Sequence, residues 1–316
     1  DLHTAYRRQR QMCIRDRNGY TALNTTQVAS ASGTCQGLYW YTSLYDRNAI
    51  MVNDGKILKM DALDGGWDDI TGAVSFATGG IDTYTKLLLH CDGADGIKTF
   101  TDVSVSLHST TAYNHVQVDT AQYKFGGASA LFDGTDDYIT VDDSTDWDFA
   151  EGNYTIDAWI RFNTLPANGQ HENIISQYED ANNFFYTSVY NNAGNYWLMN
   201  FVRDTGVYTV QFSSSNLALV AGTWYHVAFL RGSNTARLFL NGTQVGSETV
   251  TTTYPDYAGS LYVGTLDGTN YQFNGWMDEI RISKGIARWT SNFTPPLQRG
   301  MAITCNKILR HSLAMF

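Results

Sequence analysis

The sequence predicts an all-β chain: a two-sheet antiparallel jelly-roll sandwich preceded by a small β segment. From Lys86 onward, short runs rich in β-branched and aromatic residues recur, each closed by a Gly, Asn or Asp turn. The composition agrees, since 28 Gly, 20 Tyr and 8 Trp against 4 Pro, with 16% charged residues, is turn-rich and aromatic-rich. No helical period competes over that span.

In chain order, GLYWYTSL, DRNAIMVNDGKILKMD and GWDDITG come first, between Gly37 and Gly80, with Asn53-Asp54-Gly55 as a hairpin turn. Within residues 18–80 this spacing reads either as one partial β-propeller blade or as a three-stranded cap on the next domain. The main domain, 86–296, opens with KLLLHCDG. ASALFDG, DDYITVDD, NYTIDAWIRFN, NIISQYE, FFYTSVYNN, NYWLMNFVRD, VYTVQFSS, TWYHVAFLRG, ARLFLNGTQVG, SLYVGTLDG and NGWMDEIRIS follow. Strands this short and this numerous bury their apolar faces by stacking two sheets. The clearest hairpins turn at Gly232-Ser233-Asn234-Thr235 and at Asn241-Gly242.

The two ends read differently. Residues 1–17, DLHTAYRRQRQMCIRDR, lack apolar periodicity, and RRQRQMCIRDR resembles translated sequencing-adaptor sequence, so they are taken as non-native or disordered. A basic disordered arm is the other reading. Residues 297–316 form a tail, read as a docking helix or a read-through. The formal charge is -10, but both ends are basic and the middle stands at about -16. Such a body repels nucleic acid, and its acids suit hard cations. No apolar run approaches the roughly 18 residues of a spanning helix, so membrane insertion is not expected. Cys13, Cys35, Cys91 and Cys305 are scattered without a CxxC pair, and no zinc site is read from them.

In GWMDEIRIS, strand alternation puts Asp278 on the face of Trp276, Ile280 and Ile282, and Glu279 with Arg281. Neighbouring strand positions cannot converge on one substrate without a bulge, which argues against a catalytic pair. Asp278 is the one expected to be buried, where a carboxylate needs hydrogen bonds, a proton or a cation. The acidic run from Asp133 to Asp148 lacks the spacing of a calcium loop and reads as a solvated turn face. No Glu-x-Asp-x-x-Glu, G-x-S-x-G, phosphate loop or HExxH occurs. Glu172 and Glu179-Asp180 have the wrong spacing and are placed by turns, and His226 reads as a packed or cross-strand residue. No catalytic residue is assigned.

Aromatic rings stack on sugar faces while small polar groups fix the hydroxyls. NNFFYTSVYNNAGNYWLMNFVRD offers Tyr186, Tyr190, Asn191, Asn192, Asn195, Tyr196, Trp197 and Arg203 for this task, and a later loop adds Tyr254 and Tyr257. The competing reading is that half of these rings are core, because alternation in a sandwich demands them.

The ordered set LLLHCDG, KFGGASALFDGTDDYITV, YTIDAWIRF, GTWYHVAFLRGSNTARLFLNG, FNGWMDEIRISKGIARW and FTPP resembles the concanavalin A-like, laminin-G-like jelly-roll superfamily over roughly 86–296. The form ending DEIRISKGIARWTSNFTPP is similar to modules of phage tail and other virion proteins and of bacterial surface proteins. The resemblance implies a noncatalytic recognition module on a virion or cell surface, binding carbohydrate on a polymer or host cell. Its alternatives are a structural decoration or adhesion domain contacting other virion proteins, and an accessory carbohydrate-binding module of a glycoside hydrolase. It also implies a structural calcium between Asp92 of the first strand and Asp278 of the last, with carbonyls from the loop around Gly126 and Gly127. Calcium takes six to eight oxygens, so carbonyls and waters would complete the shell. The rival for this pair is that Asp92 caps a turn and Asp278 accepts backbone N–H bonds. Cys91 stands where the family's familiar residue is phenylalanine.

Overall fold

The computed structural model describes residues 81–296 in full and the backbone of four strands between residues 35 and 69. The readings made for 1–17 and 297–316 fall outside the described residues. The chain divides into two units, Asp1–Phe76 with Ile303–Phe316, and Ala77–Ala302.

In the first unit, β1 (Cys35–Thr42), β2 (Arg47–Asn53), β3 (Lys56–Met60) and β4 (Trp67–Asp69) pair antiparallel in chain order. Asn53 pairs with Lys56, the register of a hairpin closed by two residues. The described residues of this unit form one four-stranded sheet.

The second unit is the expected sandwich. One sheet contains β7 (Gln117–Asp119), β8 (Ser129–Asp133), β19 (Asn274–Lys284), β10 (Tyr154–Phe162), β15 (Trp224–Gly232), β16 (Thr235–Leu240) and β17 (Thr243–Thr249), with β5 (Thr85–Leu89) also paired to β19. The other contains β6 (Thr110–Tyr113), β9 (Tyr138–Val141), β18 (Leu261–Val263), β11 (His171–Asp180), β12 (Asn183–Asn192), β13 (Asn195–Asp204) and β14 (Val207–Ser213). β6 and β7 escape the sequence reading because TTAY and QVD are too short to display a period. At the β16–β17 turn both Asn241 and Gly242 have positive φ, 49° and 76°, the mirror-image turn that Asn-Gly favours.

Alternation fills the space between the sheets. Ile156, Ala158, Ile160 and Phe162 of β10, with Val227 and Phe229 of β15, meet Phe185, Val189, Leu198 and Val202 of the facing sheet, all essentially inaccessible. Each buried aromatic or branched side chain contributes about 1.5–3 kcal/mol. Phe149 stacks on Tyr154 at 4.5 Å, which carries the core into the loop before β10.

β19 departs from simple parity. Its register with β10 shifts between Asp157 and Trp159, and Glu279 sits at φ 53°. This is a bulge of one residue. Met277, Ile280 and Ile282 therefore point into the core, while Asp278 pairs opposite Trp159 on the sheet's outer side. The expectation that Asp278 shares a face with Ile280 and Ile282 is corrected: the extra residue at Glu279 moves everything after it to the opposite face. Asp278 does share the face of Trp276, and Arg281 joins that side.

The outer side of this sheet carries a buried ionic cluster. Arg281 reaches Asp157 with two hydrogen bonds of 2.9 Å, and His226 Nε2 lies 3.3 Å from the same carboxylate. Burial alone would raise Asp157, but the Arg281 guanidinium and then His226 hold it at about 2. His226 is thus a cross-strand partner. Residues 285–296 cross over the cluster, with Trp289 and Phe293 stacked at 3.9 Å and both edge-on to His226. Arg288 of the same segment holds Asp82, just before β5, through bonds of 2.9 and 3.1 Å.

Candidate functional site

Two places follow from this architecture: an aromatic outer face on the β11–β14 side, and the buried Asp278 carboxylate on the other sheet.

On β11, β12 and β13, core residues alternate with residues that point away from the core. The register sets His171 beside Tyr190, Tyr190 beside Trp197, Tyr186 beside Phe201, and Phe184 beside both Tyr178 and Arg203. These are same-face cross-strand neighbours, so the rings touch. His171 lies between Tyr190 at 4.4 Å and Tyr271 at 4.5 Å, nearly parallel to both. Tyr186 stacks on Phe201 at 5.0 Å, Tyr178 on Phe184 at 5.7 Å, and Tyr190 meets Trp197 at 5.9 Å. Leu266 and Tyr271, from the loop after β18, fold onto this layer and form with Phe184, Tyr186 and Phe201 a second, smaller apolar cluster outside the main core.

The electrostatics of the face are those of a largely uncharged surface. Burial lowers His171 to about 4, so its ring is neutral near neutral pH, with Nδ1 2.9 Å from Ser188 Oγ. Burial, then the nearby Tyr271 and Tyr208, push the Tyr186 phenol upward. Arg203 is the cation of the face, its guanidinium 5.2 Å from the Tyr208 ring and 5.9 Å from Phe184.

Of the residues read from the sequence as ligand-binding, Tyr186, Tyr190, Trp197 and Arg203 stand together on this face. Asn192 is exposed at the β12–β13 turn, its carbonyl accepting from the Asn195 side chain. Tyr196 points the other way, against the main core. Tyr254 and Tyr257, expected at a loop rim, are 2% exposed and belong to the core. The Tyr254 hydroxyl donates to Asn200 and lies 3.1 Å from the Tyr154 hydroxyl, and Tyr257 donates to the Arg203 carbonyl. They pack the sandwich and are out of a surface ligand's reach. His171, Tyr178, Phe184, Phe201, Tyr208 and Tyr271 were not singled out in the sequence. For the three that flank the β12–β13 hairpin core, the signal was present: Phe184 and Phe201 keep the two-residue spacing from Tyr186 and Arg203, and Tyr178 precedes the next turn.

Glu172 is the second residue of β11, just past the turn closed by the Gln170 amide on the Ala167 carbonyl, and is buried at 5%. It points to the opposite side from His171, and Oε2 accepts from the Asn274 amide at 2.9 Å. Burial pushes it up to about 8 against that bond, so near neutral pH it carries its proton.

At the second place, Asp278 is wholly buried. Its Oδ2 accepts 2.9 Å bonds from the Lys124 and Phe125 amides, in the loop leading to Gly126 and Gly127. Its Oδ1 has no hydrogen-bond partner among the described residues. Burial, helped by the neighbouring Glu279 carboxylate, pushes Asp278 up to about 7 despite those amides. Glu279 itself turns to His90 at 2.7 Å, and the Lys124 ammonium covers the Trp159 ring at 3.9 Å. Cys91, two residues past the end of β5, lies in the main core at φ 54°, and Asp92 follows it.

An acidic cluster also forms outside these places: His115, Asp133, Asp136 and Asp137 bring their ligand atoms within 4.8 Å of one another. Asp137, the buried member, already accepts from the His115 and Asp133 amides.

Two stacked antiparallel sheets define a jelly-roll sandwich, one of them carrying an aromatic outer face. Residues 133–288 match the family model Laminin_G_3 of the concanavalin A-like lectin/glucanases superfamily. Among solved structures, the binding domain of Paraclostridial mosquitocidal protein 1 is similar at 16% identity and TM-score 0.50, over 65% of this chain and 50% of that one. Domain 4 of AbnA, an extracellular GH43 arabinanase from Geobacillus stearothermophilus solved with arabinotriose, is similar at 16% identity and TM-score 0.49, over 65% of this chain and 94% of that one. The botulinum neurotoxin serotype D binding domain stands at 16% and 0.49, covering 65% and 49%. The chain thus spans about half the length of the mosquitocidal and botulinum structures. No curated protein matches the sequence significantly.

Proposed function

We propose that the sandwich is a noncatalytic recognition module that binds glycans, working outside the cell or on a virion, through the outer face of β11–β13. The observation that carries this is the layer of stacked rings in which Tyr190 and Trp197 remain half exposed beside Tyr271 and Met199. A flat, mostly uncharged ring surface complements the apolar face of a pyranose or furanose. The outward positions of these strands, from His171 to Tyr178, Phe184 to Tyr190 and Trp197 to Arg203, hold no carboxylate, whereas glycoside hydrolysis uses two. The similar mosquitocidal protein domain is a binding domain, which supports a recognition task for this sandwich without naming its ligand. Trp197→Ala is expected to weaken binding to whichever glycan an array identifies by about tenfold, the order of one lost aromatic contact, with the melting temperature nearly unchanged. An array empty of signal for the wild-type chain would overturn the reading.

A structural calcium is part of the same proposal. Asp278, with a buried Oδ1 that accepts no hydrogen bond among the described residues, suits a cation; Asp92 and the carbonyls near Gly126 are the other groups that would hold it. Its role would be to pin the loop of Lys124 and Phe125 to the bulged last strand. Saturating calcium at about 100 times its Kd would add about 2.7 kcal/mol, or roughly 5–10 °C in melting temperature for a domain of this size. Asp278→Asn, which keeps an acceptor for both amides, is expected to abolish that difference between calcium and chelator. A melting temperature of the wild-type chain that ignores both additives would remove the ion from the picture.

A further inference from the structure

The paired arginines of this sandwich are spoken for: Arg281 holds Asp157, Arg288 holds Asp82, and Arg231 donates to the Ala150 and Thr252 carbonyls. Arg203 is different. It stands among the rings of the outer face between Phe184 and Tyr208, and its side chain makes no hydrogen bond or ion pair among the described residues, with Nε buried and unpartnered. Rings against a guanidinium hold its plane and leave the fork of N–H donors at its edge unused. Asp180 and Asp267, the acids that share the surroundings of Tyr178 with Arg203, make no ion pair with it among the described residues. Asp180 accepts from the Asn182 amide and the Asn183 side chain, and Asp267 from the Thr269 and Asn270 amides, each serving its own turn.

From this we infer that the face selects anionic glycans, with Arg203 pairing a ligand carboxylate or sulfate while Trp197 and Tyr190 stack on the sugar ring. The inference rests on the glycan reading above and sharpens it. A carboxylate or sulfate accepts two parallel N–H bonds from a guanidinium, and such charge-assisted bonds are the strong ones. The chain's net charge of -10 repels polyanions at long range, so the preference has to come from this short-range pairing, and it weakens as salt rises.

The test measures binding of four polymers in matched pairs: polygalacturonate against its carboxyl-reduced form, and dextran sulfate against dextran. The wild-type chain is expected to bind at least one charged polymer about tenfold more tightly than its uncharged counterpart, in line with one charge-assisted pair. The pair showing the difference tells carboxylate from sulfate. Arg203→Gln should erase that preference, Arg203→Lys should restore part of it, and Trp197→Ala should weaken charged and uncharged ligands alike. If uncharged polymers bind as well as charged ones and Arg203→Gln changes nothing while Trp197→Ala still does, the anion preference is wrong and the stacking face survives. If the wild-type chain binds none of the four, the anion preference falls, and if the array is empty of signal as well, the glycan reading falls with it. Equal melting temperatures for wild type and Arg203→Lys guard against a folding artefact.

Discussion

Arg281→Met is expected to destabilise the sandwich by about 3–5 kcal/mol, the range for leaving one member of a buried ion pair without its partner. Asp157 is 4% exposed, and without Arg281 its carboxylate keeps no bidentate partner: His226 touches it at 3.3 Å, and Arg288 acts on it by charge alone. Chemical denaturation of the variant should show the loss in full at neutral pH. The pH dependence has a definite sign. In the wild-type protein Asp157 titrates near 2, below the ordinary aspartate value of 3.8, so its stabilising contribution is present above about pH 4 and fades as pH falls toward 2. The gap between wild type and variant should therefore narrow over that window. The double variant Asp157→Leu with Arg281→Met should recover most of the loss, since two apolar side chains of similar size pack under Trp289 without a buried charge. A single variant within about 1 kcal/mol of wild type would show that the cluster is more hydrated than its burial implies.

Gly242→Ala is the second large effect. Gly242 has φ 76°, which alone costs a residue with a side chain about 1–3 kcal/mol. A Cβ there would also run into the Phe293 carbonyl, whose own amide donates to the Gly242 carbonyl at 2.9 Å. The turn and the segment 285–296 are locked edge to edge, so the strain should loosen Phe293 from Trp289 and expose the ionic cluster below. Gly242→Asn separates the two causes. Asparagine tolerates the left-handed backbone, yet it still brings a Cβ; equal loss in both variants assigns the effect to the Phe293 contact, and recovery with asparagine assigns it to φ. A melting temperature unchanged by alanine would contradict both.

Much of this fold could be read residue by residue. TWYHVAFLRGSNTARLFLNGTQV announces β15, β16 and β17, because alternation and an Asn-Gly turn are local signals. The bulge in GWMDEIRIS could not be read, since glutamate at positive φ has no sequence signature. Its effect reaches past one residue: it sends Ile280 and Ile282 inward and sets Arg281 against Asp157. The aromatic face was half legible. Tyr186, Tyr190, Trp197 and Arg203 could be collected because one hairpin places them by parity, but His171 and Tyr271 join through pairings remote in sequence. Tyr254 and Tyr257 were mis-sorted for the same reason, because whether a loop ring is rim or core depends on what distant strands lay over it.

The pairing of β5 with β19 and the grip of Arg288 on Asp82 carry a consequence for how such a unit can be used. Antiparallel neighbours bring the point of entry and the point of departure together, so the polypeptide leaves where it arrived. A sandwich closed in that way is suited to being spliced into a host loop without prising the host apart.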